Sequence, residues 1–401
     1  MKILEVAQAY APYWTRGGTT TKVQGISRAL TSRGHEVKVL TADLGRPLMS
    51  EGGAVPTWSP KATYLSTWFS YRATTVNPGV VGYCRRHLRD FDVVHINGFY
   101  DFIGPAVSAC CRRWGIPYVL ELMGMYVPVV RSLVKKRLYH RLMGQAHVAG
   151  AERIVATSTL EYQQLLGAGL PVDKLVLRRN GLTLAEFADL PARGSFRKQL
   201  NLSPTVPLVL FLGRLSRIKS LDLLLRAFAM LSMESRLVLA GPDDGDGCVE
   251  ECRSLARRLG VEDRVRWVGP LDGVRKLAAY VDADVFVLPS LSENFGYVAV
   301  EAAVCGTAVV LTNRCGSAAL LDGRAAIVVP HDDKAVASAI QRLLENDVLR
   351  KRLGEGGRAM LRELSWEEPA AQMERVYFEI LNRRTTAPTD ASRGTGVYPR
   401  A

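Results

Sequence analysis

Four residues of this chain have the types and spacing that point to chemistry: Glu293 and Glu301, eight apart in "SENFGYVAVEAAVCG", and Arg214 and Lys219 in "RLSRIKS". Each group follows a short apolar run, "DVFVLPS" or "PLVLFLG", of the kind that makes a buried strand. Ligands of open parallel sheets lie beyond the carboxyl ends of the strands, so both groups fall where a ligand would sit. A helix predicted from about Asn294 would aim unsatisfied N–H groups and a partial positive charge at that place. Gly296 would let a ligand approach the backbone closely. With two cations added, these loops form a cradle for a diphosphate.

The two glutamates then differ in role. A carboxylate is repelled by phosphate oxygens and accepts only from donors, so Glu293 must face hydroxyl groups such as those of a sugar. Glu301 lies about 12 Å farther along the helix axis and roughly on the same side, where a ribose diol fits. A nucleotide diphosphate sugar meets both. The competing reading of Glu301 is a helix residue paired with a surface cation. Its small apolar neighbours in "YVAVEAAVCG" imply a partly buried carboxylate that requires a partner.

The elements that position these residues follow from periodicity. "KILEVAQ", "HEVKVLTA", "FDVVHING", "IPYVLELMG" and "ERIVATS" are strands in the first half, separated by helices such as "TTKVQGISRALTSRG" and "GPAVSACCRRWG". The pattern restarts with "PLVLFLG", "RLVLAGP", "RVRWVG" and "DVFVLPS". Such alternation predicts an α/β fold with two parallel sheets, each covered by helices on both faces. The expected division is a first domain over 1–183, a second over 184–365, a helix over 366–384 and a disordered tail over 385–401. The tail "TTAPTDASRGTGVYPRA" is too polar to pack.

"FLGRLSRIKS", "LVLAGP", "VRWVGPL" and "ADVFVLPSLSENFGYVAVEAAVCGTAVVLTN" resemble the second domain of family 4 glycosyltransferases, retaining enzymes of GT-B architecture. "RGGTTTKVQGISRALTSRGHEVKVLT" and "RRNGLTLAEF" resemble that family's opening and interdomain segments. The similarity spans about residues 1–380 and implies two Rossmann-like domains facing across a cleft, the first (1–183) binding the acceptor and the second (184–365) the nucleotide sugar, with the helix over 366–384 crossing back to the first. It implies that Glu293 contacts the donor hexose within the loop Asn294, Phe295 and Gly296, that Glu301 contacts the ribose, and that Arg214 and Lys219 hold the diphosphate. Gly17 and Gly18 match the glycine loop that approaches the donor phosphate from the opposite domain. Arg214, Lys219 and Glu293 are thereby the expected catalytic set.

The chain also departs from the family. Met123 in "VLELMGMY" stands where many members carry histidine, and "VVHING" has His95 and Asn97 in place of His-x-His. Lys219-Ser220 replaces Lys-Gly. His95, Asn97, Glu121 and Met123 are the acceptor-side candidates, with a satisfied core histidine and a buried structural carboxylate as the competing readings of His95 and Glu121. Asp282 and Asp284 in "DAD" are read as a helix end entering a strand, because two cations already supply the charge Mg²⁺ would bring. No metal and no cofactor are expected, the nucleotide sugar being a co-substrate.

Charge bears on the partner. The chain has 52 basic and 39 acidic residues, a formal net charge of +13, and residues 1–200 hold 26 of the basic but only 13 of the acidic residues. No acid occurs between Glu121 and Glu152, where Arg131, Lys135, Lys136, Arg137 and Arg141 alternate with Leu133, Val134, Leu138 and Leu142. This predicts a basic amphipathic helix facing an anionic partner, either a membrane surface or a phosphorylated acceptor, the alternative being a plain solvated face. A lipid-linked or glycan acceptor of polysaccharide or glycolipid synthesis fits, and nucleic acid does not, since no binding motif accompanies the charge. Seven cysteines without Cys-x-x-Cys units read as reduced thiols. "MKILEVAQAYAP" reads as a strand rather than a signal peptide, which places the expected protein in the cytoplasm, free or peripheral on the inner face of the cell membrane. The rival functions are an epimerase or hydrolase of the same architecture and a catalytically inactive sugar-nucleotide-binding module.

Overall fold

The computed structural model describes all residues except 13–17, 45–59, 72–73, 128–132 and 387–401. The expected tail therefore lies almost wholly outside the described residues, as does Arg131. Among the described residues the first half carries strands β1 (Lys2–Ala7), β2 (Glu36–Ala42), β3 (Lys61–Leu65), β4 (Phe69–Tyr71), β5 (Thr74–Val76), β6 (Val93–Asn97), β7 (Tyr118–Glu121), β8 (Arg153–Ala156) and β9 (Leu175–Leu177). The second half carries β10 (Leu208–Leu212), β11 (Arg236–Ala240), β12 (Val265–Gly269), β13 (Val285–Leu288), β14 (Ala308–Thr312) and β15 (Ala326–Val329).

Two parallel sheets result, in the orders β3-β2-β1-β6-β7-β8-β9 and β12-β11-β10-β13-β14-β15, each with a strand-order reversal beside its first strand. These are Rossmann-like α/β domains of the predicted class. The strands are nearly continuous apolar runs because helices cover both faces of each sheet; β10 and β13 are buried at every position. β4 and β5 form a separate antiparallel hairpin.

The chain leaves the first sheet through 178–207 and returns to it at its end. Leu182 N–H bonds Leu364 O at 2.6 Å, which ties the outgoing and returning segments together. The helix Glu367–Thr386 then lies on the first sheet. Trp366, Ala370, Met373, Tyr377 and Ile380 follow helical spacing and pack against Ile3, Val93, Val119 and Val155.

Register places polar groups side by side at the carboxyl ends of the first sheet. Ala7 pairs with Asn97, Asn97 with Glu121, and Glu5 with His95. Lys22 from the helix Gly18–Ser32 reaches Glu121 Oε1 at 2.7 Å and donates to Asn97 Oδ1 at 2.6 Å. Arg178, wholly buried, donates to both Glu121 oxygens at 3.2 and 3.3 Å and to Asn180 Oδ1 at 2.9 Å. Burial alone would raise Glu121, but the charges of Arg178 and Lys22 overcome it and hold the carboxyl well below its ordinary value.

Removing one partner from a buried ion cluster leaves uncompensated charge. Lys22→Met is expected to lower the unfolding free energy in urea by roughly 3 kcal/mol. Because the Glu121 carboxyl is depressed, its stabilising contribution is complete above its ordinary value of 4.5 and is lost as the pH falls below it. The gap between parent and variant should therefore narrow on acidification; a gap independent of pH would contradict the assignment.

Candidate functional site

The loop Ser292–Gly296 leaves β13 and is stitched to the loop after β14. Glu293 N–H donates to Arg314 O at 3.1 Å, Gly316 N–H to Glu293 O at 2.9 Å and Ser317 N–H to Phe295 O at 2.8 Å. Gly296 has φ of 85°, a left-handed conformation that caps the helix Tyr297–Val304. The helix thus starts at Tyr297, three residues beyond the predicted start at Asn294, because a left-handed residue cannot continue into helix. Glu293 remains in the loop and Glu301 falls in the second helical turn. Phe295 is buried, with its ring 4.9 Å from that of Tyr297, and anchors the loop.

The cations leave β10 on the facing loop. Lys219 is paired directly with Glu293, both side chains being less than a fifth exposed. Arg214 is 58 % exposed and lies 3.5 Å from Asp244. Lys219 is thus engaged by the carboxylate expected on the sugar, and a diphosphate held by Lys219 must compete with Glu293 for it.

Glu301 is 7 % exposed, accepts from the buried Tyr280 hydroxyl at 2.9 Å and lies 3.1 Å from Lys276 Nζ. Burial pulls Lys276 down, yet the charge and hydrogen bond of Glu301 and the charge of Glu186 outweigh it and hold the ammonium above its ordinary value. The carboxylate therefore has the partner its apolar surroundings require, a cation one turn from Tyr280 on the helix Gly273–Asp282.

Two helix N-termini meet at this place. A methyl group on Gly18, the first residue of the helix Gly18–Ser32, would come 3.1 Å from the Tyr297 ring at the start of its counterpart. Gly17 lies outside the described residues. Asn294 also spans the cleft: its amide donates to Thr157 Oγ1 at 3.0 Å, and its Cβ would lie 3.0 Å from a methyl group on Gly124.

The acceptor-side candidates are not brought together in the cleft. His95, Asn97 and Glu121 are 0, 2 and 0 % exposed. His95 Nδ1 meets the Tyr377 hydroxyl at 2.6 Å, and Asn97 donates to Glu5 at 2.6 Å. The expectation that these three face an acceptor is corrected: they belong to the buried ion cluster, because the helix Glu367–Thr386 and the helix Gly18–Ser32 cover that end of the sheet. Met123 is set next to a residue that faces the cleft. It is half-buried, with φ of 54°, in the turn Leu122–Met125 whose next residue, Gly124, faces Asn294.

Asp282 and Asp284 act structurally. Asp282 accepts from the Gly194 and Arg197 amides, and Asp284 meets Arg193 and Arg197, each at 2.7 Å, and the Leu208 amide at 2.8 Å. Together they clamp the linker helix Ser195–Gln199 to β10 and β13.

Sequence reasoning missed Lys276, Tyr280, Tyr297 and Thr157. Lys276 and Tyr280 had a signal, their four-residue spacing on one helix face. Thr157 also had one, in the following Ser158-x-x-Glu161, a capping box at a helix start.

Comparison with known proteins adds the family. Residues 17–181 match the "Glycosyl transferase 4-like domain" and residues 192–360 match "Glycosyl transferases group 1". A D-inositol 3-phosphate glycosyltransferase of Xylanimonas cellulosilytica is 32 % identical over 393 residues, 92 % of this chain and 93 % of the relative. Among solved structures, sucrose-phosphate synthase of Thermosynechococcus elongatus superposes with a TM-score of 0.75 at 24 % identity, covering 95 % of this chain and 99 % of its own. HepE of Anabaena, in complex with UDP and glucose, gives 0.77 at 19 % identity, covering 94 and 100 %.

The Lys219–Glu293 pairing predicts opposite effects of two substitutions on inorganic pyrophosphate binding, measured by calorimetry. Glu293→Gln releases Lys219 and should tighten binding by about 3- to 10-fold, whereas Lys219→Ala should weaken it by about 10-fold. Weaker binding in Glu293→Gln would contradict the competition.

Proposed function

The chain belongs to the group 1, family 4 type of GT-B glycosyltransferases, and from that premise we propose that it is a retaining, metal-independent hexosyltransferase using a nucleotide diphosphate sugar. The observation that carries this reading is the convergence of two helix N-termini, at Gly18 and Tyr297, beside Lys219 and Glu293. Arg214, Lys219 and the two helix starts stabilise the charge that grows on the leaving diphosphate. As the diphosphate takes Lys219, Glu293 is released toward the hexose hydroxyls, which are donors it can accept from. Glu301 takes the ribose.

The glycosidic bond to the diphosphate breaks while the acceptor oxygen bonds to the same face of the anomeric carbon. The acceptor proton passes to the leaving phosphate. This route needs no histidine at Met123. An epimerase or hydrolase of the same architecture has less support, because the matched families and the relatives are glycosyltransferases. An inactive module is disfavoured by the intact set of Glu293, Glu301, Arg214 and Lys219.

The acceptor in this reading is lipid-linked and reached at a membrane surface, as in polysaccharide or glycolipid synthesis. Val134, Leu138 and Leu142, spaced by four, are 77, 55 and 69 % exposed along the helix Leu133–Tyr139 and the π-helical turn His140–Gly144. Lys135, Arg137 and Arg141 flank them, Lys136 lying half-buried over the Tyr100 ring, and each cation near an anionic surface contributes about 1 kcal/mol. No helix among the described residues is long and apolar enough to cross a membrane. The names of the relatives support a second reading, in which the same basic surface meets a phosphorylated polyol.

Two outcomes test these readings. Product formed in excess EDTA from UDP-, GDP- or ADP-hexose should keep the donor's anomeric configuration by proton NMR; an inverted product would overturn the mechanism. The parent should sediment with anionic vesicles at low salt and release as salt rises, since screening shortens the reach of charge to about 8 Å at physiological strength. Changing Lys135, Lys136 and Arg137 together to Gln should weaken that binding. A parent that ignores anionic vesicles would favour the phosphorylated polyol.

A further inference from the structure

We propose that Thr157, oriented by Glu161, is a positioning residue that fixes the sugar-binding loop Glu293–Gly296 from the opposite domain through Asn294; the inference rests on the sugar-transfer reading. Thr157 follows β8 in the first domain, and its hydroxyl is buried. Glu161 is 2 % exposed and accepts three bonds: from Thr157 N–H at 2.8 Å, from Thr157 Oγ1 at 3.1 Å and from Gly124 N–H at 2.5 Å.

Burial pushes the Glu161 carboxyl above its ordinary value, while the Thr157 and Gly124 amides it accepts from favour the ionised form; an ionised carboxylate only accepts, so in that form the hydroxyl proton of Thr157 points at Glu161. That leaves the lone pairs of Oγ1 for the Asn294 amide, which donates to it at 3.0 Å. The polarity of the chain is thereby fixed from Asn294 through Thr157 to Glu161. Asn294 Oδ1 is buried without a partner among the described residues, so the bond to Thr157 is what holds this side chain.

Packing agrees with the bonding. Gly124, held by Glu161, leaves room for Asn294, since a methyl group there would lie 3.0 Å from the Asn294 Cβ. On the other side of the loop, a methyl group on Gly316 would come 2.7 Å from Ser158 Oγ. The two loops that are stitched together in the second domain thus dock as a unit on the start of the helix Thr159–Gly167 in the first. Glu293 immediately precedes Asn294 and is itself tied to Lys219, Arg314 and Gly316 within the second domain, so the Thr157 bond joins the loop that carries this carboxylate to the first domain. Donor positioning is coupled in this way to closure of the cleft.

The test uses the full chain with Thr157→Val, which keeps shape and removes the hydroxyl, and Thr157→Ser, which restores it. Thr157→Val should speed amide hydrogen exchange in residues 290–297 by about tenfold, the loss of one hydrogen bond, while exchange in β11 is unchanged. It should also lower kcat for UDP-, GDP- or ADP-glucose by about tenfold, with the Kd of the matching nucleoside diphosphate within about twofold. Thr157→Ser should bring both back to within about threefold of the parent. Parent-like exchange in Thr157→Val, faster exchange with parent-like kcat, or equal acceleration in β11 would each overturn the proposal. If the parent processes none of the three sugars, the transfer reading fails, and the exchange measurement still decides whether the Thr157 bond holds the loop.

Discussion

A carboxylate sealed from water must be matched by cations, and Glu121 is matched by two that come from separate parts of the chain. Lys22 belongs to the helix whose start faces the second domain, and Arg178 opens the segment leading there. The cluster therefore fixes where that helix begins relative to the first sheet, and with it how Gly18 meets Tyr297. Nothing in the cluster is exposed enough to touch a substrate. Its contribution to function is to hold a surface it does not form.

The cleft uses charge in the opposite way. Lys219 and Glu293 are paired with less than a fifth of either side chain exposed, so the pair separates only where each charge gains another partner. A nucleotide diphosphate sugar offers phosphates to the cation and hydroxyls to the carboxylate, and each charge gains a new partner when the pair separates. Glu301, by contrast, is held by Tyr280 and Lys276 and serves as a fixed wall. The proposed donor site thus contains one pair that a ligand would have to part and one that it would not.

Much of this was legible in the sequence. The two parallel sheets followed from apolar runs alternating with helical spacing, and the rule that ligands sit at carboxyl strand ends singled out Arg214, Lys219 and Gly296, which do lie in the loops after β10 and β13. The start of the helix at Tyr297 was misplaced because a left-handed glycine reads locally like a residue of the first turn. His95 and Asn97 are acceptor-side candidates because they stand where the family has His-x-His, and Glu121 because it shares the segment of Met123; the resemblance does not show what covers them. Only the fold reveals that Arg178, Lys22 and Tyr377 cover them from 57 to 282 positions away. Thr157 and Asn294 are 137 residues apart, and local spacing carries no information about such a pair.

The central claim is that the donor's diphosphate replaces Glu293 on Lys219. A crystal structure with an intact nucleotide sugar tests it most directly. The account predicts phosphate oxygens within about 3.2 Å of Lys219 Nζ, Glu293 turned to a hexose hydroxyl and Glu301 on the ribose. A complex in which Lys219 stays paired with Glu293 while the diphosphate binds elsewhere would contradict it.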